Sequence, residues 1–147
     1  CIEEDYKDIG IHYKHNSLDS EFGGIVNSML KHIKFGFGNT TEFACYDVRA
    51  NRITRSEAAI LAQQLDGRCH SKFVEAYCDW IGISVSEFWD HANTFRGNMW
   101  EAHHNQWCLK NPIWEQVETK SCPSYLNIID RLDTQRIAKE SLQYECA

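Results

Sequence analysis

Between residues 39 and 97 the chain repeats one pattern: a capping residue, a short apolar stripe at helical spacing, and a stop signal. Thr54-Arg55-Ser56-Glu57 and Ser84-Val85-Ser86-Glu87 each place a hydroxyl residue three positions before a glutamate. That pairing satisfies two of the orphan N–H groups at a helix start. Asn39-Thr40-Thr41-Glu42 carries the same arrangement with an asparagine in front. Behind Thr54, Ala58, Leu61, Ala62 and Leu65 share a face that ends at Asp66-Gly67. Phe73, Ala76, Tyr77, Trp80 and Ile81 form the next face, stopped by Gly82. Val85, Phe88, Trp89, Ala92 and Phe95 form a third, ended by Arg96-Gly97. Apolar residues at this spacing bury one side of a helix, and short turns between such helices make neighbours roughly antiparallel.

The flanking regions extend this picture. Phe22, Ile25, Val26, Met29, Leu30 and Ile33 follow the same periodicity, with Ser17 or Asp19 as the expected cap. Gly23 and Gly24 permit close packing or a loose first turn there. After Asn39 a short helix is expected with Phe43, Ala44 and Val48 inward, ending near Ala50-Asn51. Between Trp100 and Trp107, the polar residues His103-His104-Asn105-Gln106 suit the turn of a small hairpin. The predicted fold is therefore mainly α: a cluster of about five helices with a short β-hairpin near residues 100–108. Residues 1–16 are acidic and aperiodic and read as a lead-in cut from something larger. Residues 17–116 read as a helical domain and 117–147 as a partly helical tail.

Composition excludes several classes. A length of 147 residues with 43% hydrophobic residues suits one domain with a real core. No apolar run approaches the roughly 18–20 residues of a membrane span. A net charge of −6 argues against general nucleic-acid binding. The seven cysteines (Cys1, Cys45, Cys69, Cys78, Cys108, Cys122 and Cys146) are odd in number and form no Cys-x-x-Cys pair. They read as reduced thiols packed like small hydrophobes in a cytoplasmic protein. Cys69, His70, Cys78, His103, His104 and Cys108 could be drawn into a zinc site, but their spacing fits no structural zinc pattern. No metal site is expected.

The acidic chain conceals a basic stretch. From residue 31 to 55 there are five basic residues (Lys31, Lys34, Arg49, Arg52, Arg55) against two acidic ones (Glu42, Asp47). Within it, Gly36-Phe37-Gly38 leads into the expected helix start at Asn39. Free N–H groups and the helix dipole favour anions at such a start, and Thr40 and Thr41 add hydroxyl donors. Together these residues could hold a phosphate or pyrophosphate. The alternative is a solvated basic face with Phe35 and Phe37 in the core. The chain has no Gly-x-Ser-x-Gly elbow and no His-Glu-x-x-His motif. Nor does it contain a Ser-Gly-Gly-x-Asp-Ser ATP loop.

The ordered series Lys34 to Thr41, Asp47-Val48-Arg49, Asn51 to Ala58, Asp66-Gly67 and Tyr77 to Trp89 resembles the C-terminal part of N-acetyl sugar amidotransferases of the PP-loop ATPase superfamily. The resemblance covers about residues 17–116 and is most specific from Lys34 to Glu57. It implies an ATP-dependent ligase reaction in bacterial surface-polysaccharide or flagellar sugar biosynthesis. There an acetamido sugar becomes an acetamidino sugar, with ammonia supplied by a glutaminase subunit. It implies ATP and Mg2+ for the complete enzyme and none for this chain alone, whose sequence lacks the ATP loop. It implies that Lys34, Gly36, Gly38, Thr40, Thr41, Arg49, Arg52 and Arg55 line a surface for a nucleotide or nucleotide-sugar. Asp47 would orient an arginine or act as a catalytic base. Neither nucleic acid nor a membrane is an expected partner.

Two other readings stay open. The chain could be a helical interaction module that docks a glutaminase or another subunit through its acidic lead-in and the aromatic-rich 99–114 stretch. A zinc-bound helical domain is the third.

Overall fold

The computed structural model describes residues 5–13, 22–104 and 106–145. The expected caps Ser17 and Asp19, the acidic Glu3 and Glu4, and the thiols of Cys1 and Cys146 lie outside them. Among the described residues there are seven α-helices: α1 (Tyr6–Ile9), α2 (Asn27–Phe35), α3 (Asn39–Arg49), α4 (Arg55–Leu65), α5 (Ser71–Ile81), α6 (Val85–Thr94) and α7 (Tyr125–Glu145). The hairpin forms as β1 (Trp100–His103) and β2 (Gln106–Leu109), with Trp100 opposite Leu109 and His103 opposite Gln106. A mainly helical fold with one small hairpin is what the sequence called for.

Local signals explain most of the boundaries. Both expected capping boxes form: Glu57 N–H donates to Thr54 Oγ1 and Thr54 N–H to Glu57 Oε2, and Ser84 and Glu87 repeat the exchange. Gly82 closes α5 in the left-handed conformation. Gly23 and Gly24 do loosen the start of the Phe22 helix: residues Phe22–Val26 form a π-helical turn before α2 begins. The third box does not form. Gly38, not Asn39, is the N-cap of α3, and the Glu42 side chain pairs with Lys31 instead of turning back.

The interior has two parts. Met29 and Ile33 of α2 pack with Phe73, Val74 and Cys78 of α5 and with Phe88 and Ala92 of α6. Ala44 of α3 and Leu61 and Leu65 of α4 pack with Ile128, Ile129 and Leu132 of α7. The stretch read as a lead-in contributes here, since Ile9, Ile11 and His12 are buried. So does the tail, whose α7 supplies three of the most deeply buried side chains.

The apolar faces of α5 and α6 are wider than the surface they bury. Phe73, Phe88 and Ala92 face inward as expected, but Trp80 stays 71% exposed and Phe95 68%. Val85, Trp89 and Ile81 are also exposed. α5 packs against the Phe22–Val26 turn and α6, and α6 against α2, and these neighbours leave part of each apolar face uncovered. Trp80 covers part of its apolar area by stacking on Phe22, with ring centroids 5.7 Å apart.

Candidate anion-binding site

The basic stretch is divided between the two ends of α3. At the N-terminal end, Gly36 ends α2 in the left-handed region at φ 79°, its N–H donating to His32 O at 2.8 Å. Gly38 then enters α3 extended. A Cβ at Gly38 would stand 2.8 Å from Asp66 Oδ1, so the missing side chain makes room for that carboxylate. Asp66 accepts a hydrogen bond from Thr41 N–H at 3.2 Å and another from the Thr41 hydroxyl. Asn39 N–H donates to Ser28 Oγ at 3.1 Å. The hydroxyl of Thr40 is fully buried and donates to the Gly10 carbonyl at 3.0 Å. Two N–H groups of the expected phosphate cradle, those of Asn39 and Thr41, and both threonine hydroxyls are thus bonded to the chain itself, and Asp66 supplies the negative charge that the helix start favours. Lys34 is exposed, with its ammonium 5.2 Å from the Phe35 ring centre.

The C-terminal end is built differently. Asp47 is fully buried. His12 Nε2 lies 3.3 Å from its Oδ2, which also accepts the Tyr13 hydroxyl. Arg52 Nε sits 2.8 Å from Oδ1; its N–H is not aimed at the oxygen, so the contact is electrostatic. Arg136 of α7 covers the Tyr13 ring at 3.8 Å from its centre. Burial pushes the Asp47 carboxyl up, but the bonds from His12 and Tyr13 and the charges of His12 and Arg52 outweigh it. The net effect holds Asp47 below the usual carboxylate range. Burial, and then the bond to Asp47, push the Tyr13 hydroxyl well above its ordinary value.

Beyond Asp47 the chain turns through Asn51, which takes the left-handed conformation at φ 55°. Asparagine tolerates that region better than most residues. The turn delivers Arg52 and Arg55 to the start of α4. Glu57, the capping residue, also accepts from Arg131 Nη2 of α7 at 2.7 Å. An open cleft of about 500 Å³ lies here, lined in part by Asn51, Arg52, Arg55, Arg131 and Gln135. Arg55 has no acidic partner among the described residues, and as the first residue of α4 its charge opposes the helix dipole. An anion in the cleft would relieve that opposition.

The candidate residues therefore separate. Arg52 and Arg55 come together, with Asp47 behind Arg52. Gly36, Gly38, Thr40 and Thr41 gather at the opposite end of α3. Arg49 is exposed beside Tyr46, its guanidinium 6.0 Å from the ring centre, and does not line the cleft. Several contributors carry no local signal: His12 and Tyr13 sit in an aperiodic segment, and Arg131 and Gln135 in a weakly periodic one. Asp66 and Glu57 read only as a helix stop and a cap. Among the described residues no three His, Cys, Asp or Glu side chains group so as to hold a metal ion. Their thiols are unpaired, with Cys78 in the core and Cys108 exposed on the hairpin. No described helix is long and apolar enough to cross a membrane.

No curated protein and no solved structure matches the chain. Residues 11–119 match the family described as LPS biosynthesis protein WbpG-like, C-terminal domain, and the chain belongs to that family. The match ends before α7 begins.

Proposed function

From this family membership we propose that the chain is the substrate- or nucleotide-binding C-terminal region of an ATP-dependent N-acetyl sugar amidotransferase. The reaction turns an acetamido sugar into an acetamidino sugar for a bacterial surface polysaccharide or flagellar glycan. ATP, with Mg2+, activates the acetamido oxygen. The acetamido oxygen would displace pyrophosphate from the α-phosphorus of ATP, ammonia from a glutaminase subunit would add to the activated carbon, and AMP would leave with that oxygen. This chain's part is to bind and orient. Arg52 and Arg55, with Arg131, receive the diphosphate of a nucleotide-sugar, since guanidinium forks match phosphate oxygens. Asp47 holds Arg52 in place and stays ionised while doing so.

The observation that carries this reading is the cleft itself, where three arginines converge and one of them, Arg55, has no acidic partner among the described residues. Calorimetric titration with a nucleoside-diphosphate N-acetylhexosamine tests it. Arg52→Ala and Arg55→Ala are each expected to weaken binding by about tenfold, the loss of roughly one charge-assisted contact. If both changes leave binding and the activity of the complete enzyme intact, the assignment fails.

A second reading is favoured by the exposure of Met99, Trp107 and Ile113 in the 99–114 stretch, since aromatic residues and methionine are enriched at protein interfaces. In it the chain docks a glutaminase. Co-purification with a glutaminase that survives both arginine changes but not Trp107→Ala would support it.

A further inference from the structure

The loop that reads as a phosphate cradle encloses a different kind of space. Between the end of α2, the start of α3, the hairpin and the Ile113–Glu115 turn lies a cavity of about 190 Å³. Phe35, Phe37, Met99 and Trp114 form much of its wall, and Asp66 and Thr41 contribute polar groups. The hairpin closes tightly over the loop: a Cβ on Gly36 would stand 3.1 Å from Leu109 Cδ2 and 3.2 Å from Met99 Cβ.

Three features define what fits. The first is charge. Asp66 already serves the start of α3, so a phosphate would meet a carboxylate. That carboxylate keeps acceptor capacity, because each oxygen offers about two lone-pair sites and the bonds to Thr41 use one on each. A suitable ligand is neutral and brings N–H donors. The second is shape. The Phe35 and Phe37 rings lie 6.1 Å apart at a 32° tilt, and a lysine ammonium stands over each, Lys34 at 5.2 Å and Lys31 at 5.3 Å. Such rings offer a surface on which a flat ring can stack. The third is size. The volume falls below the roughly 300–1,000 Å³ of sites for drug-sized ligands, so it holds one ring system.

We propose that this cavity binds a neutral, nucleobase-sized heterocycle through stacking on its aromatic wall and an N–H bond to Asp66. Amino-bearing bases such as cytosine and adenine suit the carboxylate. Uracil presents two carbonyls beside its ring N–H and suits it poorly. The inference goes beyond the arginine cleft and stands whether or not that cleft binds a diphosphate.

The test uses the full chain with cytidine, adenosine and uridine, followed by ligand-observed NMR. Cytidine and adenosine are expected to bind about tenfold more tightly than uridine, within the range a base-edge hydrogen-bond pair supplies. Phe37→Ala, at an exposed position, is expected to weaken binding by about tenfold, as loss of a stacking ring does. Asp66→Asn keeps an oxygen for Thr41 and is expected to erase the preference over uridine. Arg52→Ala and Arg55→Ala are expected to change neither. Absence of nucleoside binding overturns the proposal. So does uridine binding as well as cytidine and adenosine, or an affinity that Phe37→Ala leaves unchanged. The comparison with uridine requires no variant, so it stands even if Asp66→Asn fails to fold.

Discussion

The two ends of α3, roughly 16 Å apart for an 11-residue helix, carry opposite solutions to the same electrostatic problem. At the N-terminal end the chain places its own carboxylate, Asp66, against N–H groups that would otherwise attract an anion. At the C-terminal end it buries a carboxylate, Asp47, behind an arginine and leaves two further arginines around an open cleft. Glycine, threonine and a helix start are therefore not enough to make a phosphate site. What decides is whether the positive ends are already matched. At the start of α3 Ser28 and Asp66 match the N–H groups of Asn39 and Thr41, whereas Arg55 has no acidic partner among the described residues.

The largest expected effect lies behind the cleft. Asp47→Ala would leave His12, Tyr13 and Arg52 around a buried position with no acceptor, costing about 3–5 kcal/mol of stability. Denaturant unfolding checks this; a loss under about 1 kcal/mol would mean that the network is not structural. The same residue sets a pH dependence. A carboxylate whose folded pKa is depressed contributes fully above its unfolded value, about 3.9. The contribution is lost as pH falls through the folded value. Stability from this source is thus expected to hold between pH 7 and 5 and to fall off below about pH 4. Asp47→Asn is expected to flatten that acid limb.

Asp66→Ala tests the other end. Losing the contacts to Thr41 is expected to cost about 1–2 kcal/mol, as loss of a helix cap does. The variant is also expected to gain more thermal stability from sulfate than the natural chain does, because its helix start is then open. Equal gains would show that Asp66 does not occupy an anion position. Arg55→Ala gives the smallest structural effect and the most selective functional one. Removing a cation from the start of α4 is expected to raise stability by about 0.3–1 kcal/mol while weakening diphosphate binding by about tenfold. A variant that loses stability and binding together would make Arg55 a structural residue.

What the sequence revealed followed the range of the interaction. Capping boxes three residues apart and glycine stops at helix ends were legible, and with them the helices of the 54–95 cluster. Asp66 to Thr41 spans 25 positions, His12 to Asp47 spans 35, and Arg131 to Glu57 spans 74. No local pattern announces such pairs. The failed capping box at Asn39 has this cause: Asp66 and Ser28 arrive from elsewhere and displace the local solution. Periodicity likewise identified the apolar faces of α5 and α6 but not how much of each a neighbour would cover, which left Trp80 and Phe95 in solvent. Among the site residues, Asp47 and Arg52 are five positions apart and lie together at one end of α3, whereas the separation of the glycines and threonines from Arg52 and Arg55 depends on the length of α3.

An anion is expected to bind at the arginine end of α3 and not at the glycine end. Titration of the isotope-labelled chain with inorganic pyrophosphate, followed by amide chemical shifts, tests it most directly. Saturable shifts are expected at Asn51–Arg55 and around Arg131, with Gly36–Thr41 unmoved. Shifts centred on Gly36–Thr41, with the Arg52 and Arg55 amides unchanged, would contradict it.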